Sequence, residues 1–140
     1  MFRRILVAVD TSGTDHPSVL AATELAALAG ASVRVLHVDP SDVVYDTVVG
    51  REDDATAHKV LDDALATVRR HGVQAEGQLV DALLPDVAQA IADAARRYDA
   101  DLIVLAPHPR TRLGARFSPR ITDAVVHNSR IAVLLVPGNE

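Results

Sequence analysis

Arg3-Arg4-Ile5-Leu6-Val7-Ala8-Val9 is followed at once by Asp10-Thr11-Ser12-Gly13. The first seven residues are a short, nearly continuous apolar run, the pattern of a strand covered on both faces. The next four are turn formers that end it. Residues 17–29 are then rich in Ala and Leu, with Pro17 suited to a first helical turn and Gly30 to a C-cap. A strand buried on both sides and followed by a helix needs further units of the same kind beside it.

The rest of the chain supplies them. Residues 32–38 are β-branched and strand-like, ended by Asp39-Pro40. Residues 40–53 have no clear period and contain Ser41, Asp42, Asp46, Gly50 and Asp53, which predicts a mobile connection. Residues 54–71 place Ala57, Val60, Leu61, Ala64, Leu65 and Val68 on one helical face, with Gly72 as the cap. Residues 73–80 follow as a more exposed strand carrying Gln74, Glu76 and Gln78. Residues 85–98 form a second amphipathic helix, with Val87, Ile91, Ala94, Ala95 and Tyr98 on its stripe, and 101–106 a buried strand. Residues 107–117 are a loop rich in Pro and Arg. Ser118-Pro119 reads as an N-cap and first helical position, opening a helix through about His127. Residues 131–136 are the most apolar strand, ended by Pro137-Gly138.

Strict alternation of strand and helix, with apolar strands, predicts an α/β fold: a doubly wound parallel sheet with helices on both faces. With no linker or low-complexity tract visible, residues 1–140 are expected to form one domain. Ligands in such folds sit beyond the carboxyl ends of the strands, here Asp10–Gly13, Val38–Asp42, Val80–Leu84 and Ala106–Ser118.

Composition narrows the function. The 140 residues include no Cys, which excludes disulfides, thiolate metal sites and thiol nucleophiles. No apolar run approaches the roughly 20 residues that span a bilayer, and the first residues lack a signal-peptide cleavage pattern. A cytoplasmic location without membrane attachment is therefore expected. The net charge of −5 argues against general nucleic-acid binding. That charge is uneven. Residues 1–105 hold nine cations and 17 anions, whereas 106–140 hold five Arg against Asp123 and Glu140. The positive region of the sequence is its last quarter.

No catalytic pattern is present. The glycine-rich dinucleotide fingerprint and the P-loop are both absent, and the turn after the first strand offers only Gly13. Asp10 holds the place of a phosphoacceptor, but the single lysine, Lys59, lies inside a helix, so a receiver-type reading fails. Asp10 is either a ligand contact or a turn former. The six His residues show no metal-ligand spacing, and His37 reads as a half-buried structural residue. There is no nucleophile elbow, and Ser12 and Ser18 have no visible base. His108, Arg110, Arg112, Arg116 and Arg120 gather at the ligand edge and lead into a helix amino end. They form either an anion clasp or a solvated loop that balances the acidic remainder.

Taken in order, Ile5-Leu6-Val7-Ala8-Val9-Asp10-x-Ser12, Val35-Leu36-His37-Val38, Ala100-Asp101-Leu102-Ile103-Val104 and Ala132-Val133-Leu134-Leu135-Val136-Pro137 resemble the universal stress protein family over essentially the whole chain. The resemblance implies a Rossmann-like sheet of five parallel strands in the order 3-2-1-4-5. It also implies a homodimer formed through the last strand, here 131–136. One branch of the family binds ATP through G-x2-G-x9-G-[S/T] after the fourth strand. Those places fall here on Ala106, Pro109, Pro119 and Arg120, with the spacing kept and every motif residue changed. Proline donates no N–H and fixes φ near −65°, so a backbone phosphate cradle loses donors where they are used.

The resemblance matches Asp10 to an acidic residue near the adenine pocket and Val38 to a position whose backbone meets adenine. The expectation is a non-catalytic regulatory or stress-response module, without standard ATP binding and with no cofactor, acting on a protein partner that the sequence does not name. The alternative is a sensor of AMP, cyclic AMP or ATP. Its ligand edge would be Asp10, Ser12, Val38, Ala106, His108, Arg110 and Arg120, with Arg side chains holding the anion. A weak ATPase is the remote third reading, since no general base or Mg²⁺ carboxylate pair is visible.

Overall fold

Ile5, Val7 and Val9 enter one apolar core and Leu6 and Ala8 enter another, so the first strand is sandwiched as its unbroken apolar run requires. In the computed structural model, which describes residues 1–10, 17–44, 47–50, 54–106 and 119–137, this strand is β1, Arg4–Val9. It is followed by α1 (Pro17–Ala29), β2 (Ser32–Val44), β3 (Thr47–Gly50) and α2 (Asp54–Arg70). Then come β4 (Ala75–Leu83), a 3-10 turn over Leu84–Asp86, α3 (Val87–Tyr98), β5 (Leu102–Leu105), α4 (Pro119–Ser129) and β6 (Ala132–Leu135).

The five parallel strands lie in the order β4-β2-β1-β5-β6, which is 3-2-1-4-5 when they are counted along the chain. Helices α1 and α2 cover one face through Val19, Ala22, Ala26, Leu61, Leu65 and Val68. On the other face α3 and α4 pack through Val87, Ile91, Ala95, Tyr98 and Val125. Each fully buried Leu, Ile or Val contributes about 1.5–3 kcal/mol of apolar transfer. β4 passes close beneath α2 at Gly77, where a Cβ would stand 2.7 Å from Leu65 Cδ1 and 3.2 Å from Leu61.

The helices end as their sequences predict. Gly30 (φ +69°) and Gly72 (φ +76°) close α1 and α2 in the left-handed region that glycine enters without strain. Asp99 (φ 59°) and Arg130 (φ 56°) take the same conformation after α3 and α4.

The expected connection over 40–53 is corrected in part. β2 runs on to Val44, and residues 41–44 pair antiparallel with β3 from Ser41↔Gly50 to Val44↔Thr47. The β-branched residues Val43, Val44, Thr47, Val48 and Val49 favour this hairpin over the turn signals around them. Ser41 also pairs with Leu83 of β4. β3 therefore lies on the opposite edge of β2 from β4, in line with β1 and beyond its carboxyl end.

Among the described residues, no helix is long and apolar enough to cross a membrane.

Candidate functional site

The chain winds outward from β1 to β2 and β4, then returns to add β5 and β6 on the other side, so the winding reverses between β1 and β5. This is where an open parallel sheet leaves a crevice outside its carboxyl ends. Asp10 leaves β1 on one side of that crevice and Ala106 leaves β5 on the other. Both are buried, at 3% and 9% exposure. The β1–β2 register runs through Val9↔His37, which brings Val38 beside Asp10. Val38 is buried as well.

His37 is fully buried, more so than its sequence reading as a half-buried residue. Its Nδ1 lies 2.9 Å from the carbonyl oxygen of Val9. Because a carbonyl only accepts, Nδ1 carries the proton and donates it. The imidazole is thus a tie that holds the end of β1 against β2, one residue before Asp10. It positions the crevice floor.

Of the other predicted residues, Arg120 is exposed in the first turn of α4, next to Pro119 at its first position. Pro119 contributes no N–H there. Ser12, His108 and Arg110 lie outside the described residues, as do Arg112, Arg116 and Pro109. The structure therefore brings Asp10 and Ala106, just past the ends of β1 and β5, together with Val38 within β2, and sets Arg120 at the start of α4.

The described charges at this edge are mainly acidic. Asp39 is buried beside Val38 and stands in register with Asp81 of β4. Asp86 precedes α3. Carboxylates at helix amino ends are favourable for the helices, but they oppose a phosphate group unless cations are brought alongside. Among the described residues, no group of three or more His, Cys, Asp or Glu could hold a metal ion. The carboxyl edge thus gathers the ends of β1 and β5 and the buried carboxyl group of Asp10.

Sequence reasoning missed a second gathering of charge, at the opposite edge of the sheet. The doublets Arg3-Arg4, Arg69-Arg70 and Arg96-Arg97 stand at the start of β1 and the last turns of α2 and α3. In a parallel α/β unit all three places meet at the amino edge. The repeated Arg-Arg doublet at element ends was the signal that could have found them.

The family model for the universal stress protein family matches residues 1–137. A protein of that family from Burkholderia pseudomallei has a solved structure 32% identical to this chain, covering 96% of each chain with a TM-score of 0.72. A universal stress protein from Archaeoglobus fulgidus, solved in complex with dAMP, is 26% identical over 95% of this chain and 96% of its own, with a TM-score of 0.69. An Arabidopsis thaliana family protein with AMP bound is 18% identical over 98% of this chain and 92% of its own, at a TM-score of 0.64, a likeness of fold. No curated protein matches the sequence significantly.

Proposed function

Because this chain belongs to the universal stress protein family, we propose that it is a non-catalytic cytoplasmic regulatory module of the stress-response type. It works as a homodimer through β6 and does not hold ATP in a glycine cradle. The observation that carries this reading is the substitution at the cradle positions. Ala106 closes β5 as a buried side chain, and Pro119 opens α4 with no N–H to give. Arg120 follows where the motif has a hydroxyl. A triphosphate laid along this path meets fewer backbone donors and, among the described residues, a mainly acidic edge.

A second reading rests on a different observation. Asp10 and Ala106 are buried just past the ends of β1 and β5, with Val38 of β2 alongside, which supports a place for a base and ribose apart from the cradle. The Archaeoglobus fulgidus relative, 26% identical, was solved with dAMP, a ligand with one phosphate rather than three. In this reading the chain senses a nucleoside monophosphate, cyclic or open, and Ser12, His108, Arg110 and Arg120 receive its phosphate.

Calorimetric titration with Mg-ATP, then with AMP, dAMP and cyclic AMP, separates the two. No heat and no thermal stabilisation by any of them supports the nucleotide-independent dimer, since a ligand specific to the native state raises its melting point. Binding of AMP without ATP, lost in Arg110→Ala/Arg120→Ala, supports the sensor. Micromolar binding of Mg-ATP overturns the reading of Ala106, Pro119 and Arg120. Phosphate release from ATP overturns the non-catalytic one.

A further inference from the structure

We infer that the amino edge of the sheet, opposite the crevice just described, carries a second anion site, a groove that takes a short oligophosphate. Two adjoining recesses of about 490 Å³ each meet there, sharing Ser32, Val73 and Gln74. Each is of the size that holds a small molecule. Arg4 and Arg69 line one recess; Arg3 and His71 line the other.

The guanidinium groups are held in place. Arg4 Nη1 donates to the carbonyl of Tyr98 at 3.0 Å, and its Cζ sits 5.5 Å from the centre of the Tyr98 ring. Arg69 Nη2 donates to the carbonyl of Ala75 at 2.9 Å. Each therefore keeps further N–H groups on a side chain whose position is already fixed, which lowers the ordering cost of binding. Between them Ser32 Oγ meets Tyr98 Oη at 2.8 Å.

Among the described residues, the one carboxylate lining the groove is Glu76, and Arg34 neutralises it at 3.2 Å while stacking 4.5 Å over the Tyr98 ring. Asp101, at the same edge, accepts the backbone N–H groups of Arg3 and Arg4 at 2.8 and 3.2 Å. Its charge is thus turned toward the backbone, and the Arg side chains are left for a ligand. Arg70, Arg97 and Arg130 add positive field at the ends of three helices, while Arg96 is paired with Asp93. Cations there offset the helix dipoles, but Arg4 and Arg34 come from strands, and Arg3 directly precedes β1, so they have no dipole to offset. A chain of net charge −5 thus presents a positive groove at one end, the arrangement that draws an anion to one place.

Two recesses in line, with a guanidinium pair in one and Arg3 in the other, favour an anion long enough to reach both. Arginine forks match phosphoryl oxygens in bidentate fashion. Linking two weak contacts in one molecule raises affinity well above that of either alone.

The test is calorimetric titration at low salt with tripolyphosphate, orthophosphate and citrate, using the whole protein and the variants Arg3→Gln, Arg69→Gln and Lys59→Gln. Circular dichroism confirms that each variant is folded. Tripolyphosphate should bind at least about tenfold more tightly than orthophosphate. Arg3→Gln and Arg69→Gln should each weaken it about tenfold, and Lys59→Gln, an exposed cation of α2 outside both recesses, should leave it unchanged. Absence of tripolyphosphate binding overturns the site, as does binding that neither groove variant weakens. Citrate binding more tightly than tripolyphosphate overturns the phosphate assignment.

Discussion

The buried imidazole of His37 donates its Nδ1–H to the carbonyl of Val9 across 2.9 Å, joining two residues that face each other in the β1–β2 register. Val9 is the last residue of β1, and Asp10 begins the crevice. The bond fixes where the sheet stops and the site starts. Replacing His37 with Leu leaves the Val9 carbonyl without this donor inside a closed core. The expected loss is about 1–3 kcal/mol of stability, read by urea denaturation. A variant as stable as the parent would show that the imidazole is not the tie described here.

Gly77 tests how closely β4 lies under α2. A methyl group there displaces the Leu65 side chain, which has some freedom to move. A branched side chain displaces Leu65 and Leu61 together. Gly77→Val should cost about 1–3 kcal/mol by overpacking, and Gly77→Ala clearly less. Equal stability of all three proteins would place α2 farther from the sheet.

How much of this was legible in the sequence follows from where the information lies. Ile5 to Val9 declare a buried strand and Ile131 to Val136 an edge strand whose leucines stay exposed; both are legible because their apolar runs are local, and Gly30 and Gly72 mark helix ends by their own backbone freedom. The β2–β3 hairpin was hidden because Asp42, Asp46 and Gly50 are turn residues that pattern reading weighs above Val43, Val44, Val48 and Val49. The place of Asp10 and Val38 at the sheet's carboxyl edge was legible once strand order was assumed. The basic groove was not, because its cations come from Arg3, Arg4 and Arg69, which are drawn from distant parts of a stretch whose summed charge is negative. Only the parallel winding, which returns every helix end to one edge, brings them together.

Arg130 closes α4 with φ 56°, a conformation that costs an L-residue about 1–2 kcal/mol and glycine almost nothing. Glycine also gives the unfolded chain more freedom, which offsets part of the gain. Arg130→Gly should therefore stabilise the protein by about 0.5–1 kcal/mol, seen as a higher midpoint of thermal or urea unfolding. A lower midpoint would mean that the Arg130 side chain contributes more than its backbone costs.

Asp93 sits on the exposed side of α3. The Gln89 side-chain amide, donating at 2.9 Å, holds its carboxyl below the ordinary carboxylate range. Arg96, which pairs with it, acts in the same direction, and partial desolvation opposes both. A carboxyl lowered in the folded state adds stability above its unfolded pKa. That contribution is lost as pH falls through the folded value. Gln89→Ala and Arg96→Ala should each raise the Asp93 titration midpoint in a side-chain NMR titration. No movement in Gln89→Ala would remove the amide as the cause.

β6 pairs only with β5 among the described residues, so its outer edge is open. Leu134 lies in register with Val104 on the α1 side of the sheet, and Leu135 with Leu105 on the α4 side. They are 37% and 44% exposed. An edge strand with unpaired backbone groups and Leu on both faces invites pairing with another chain. A second copy that pairs its own β6 across a two-fold axis would satisfy the backbone groups and bury these leucines at once. The protein should sediment as a dimer. Leu134→Lys/Leu135→Lys should sediment as a folded monomer whose melting temperature no longer depends on concentration, because the link between association and stability is cut. A parent protein that is monomeric at every concentration sinks the homodimer reading, and a dimer that survives both lysines moves the interface away from β6.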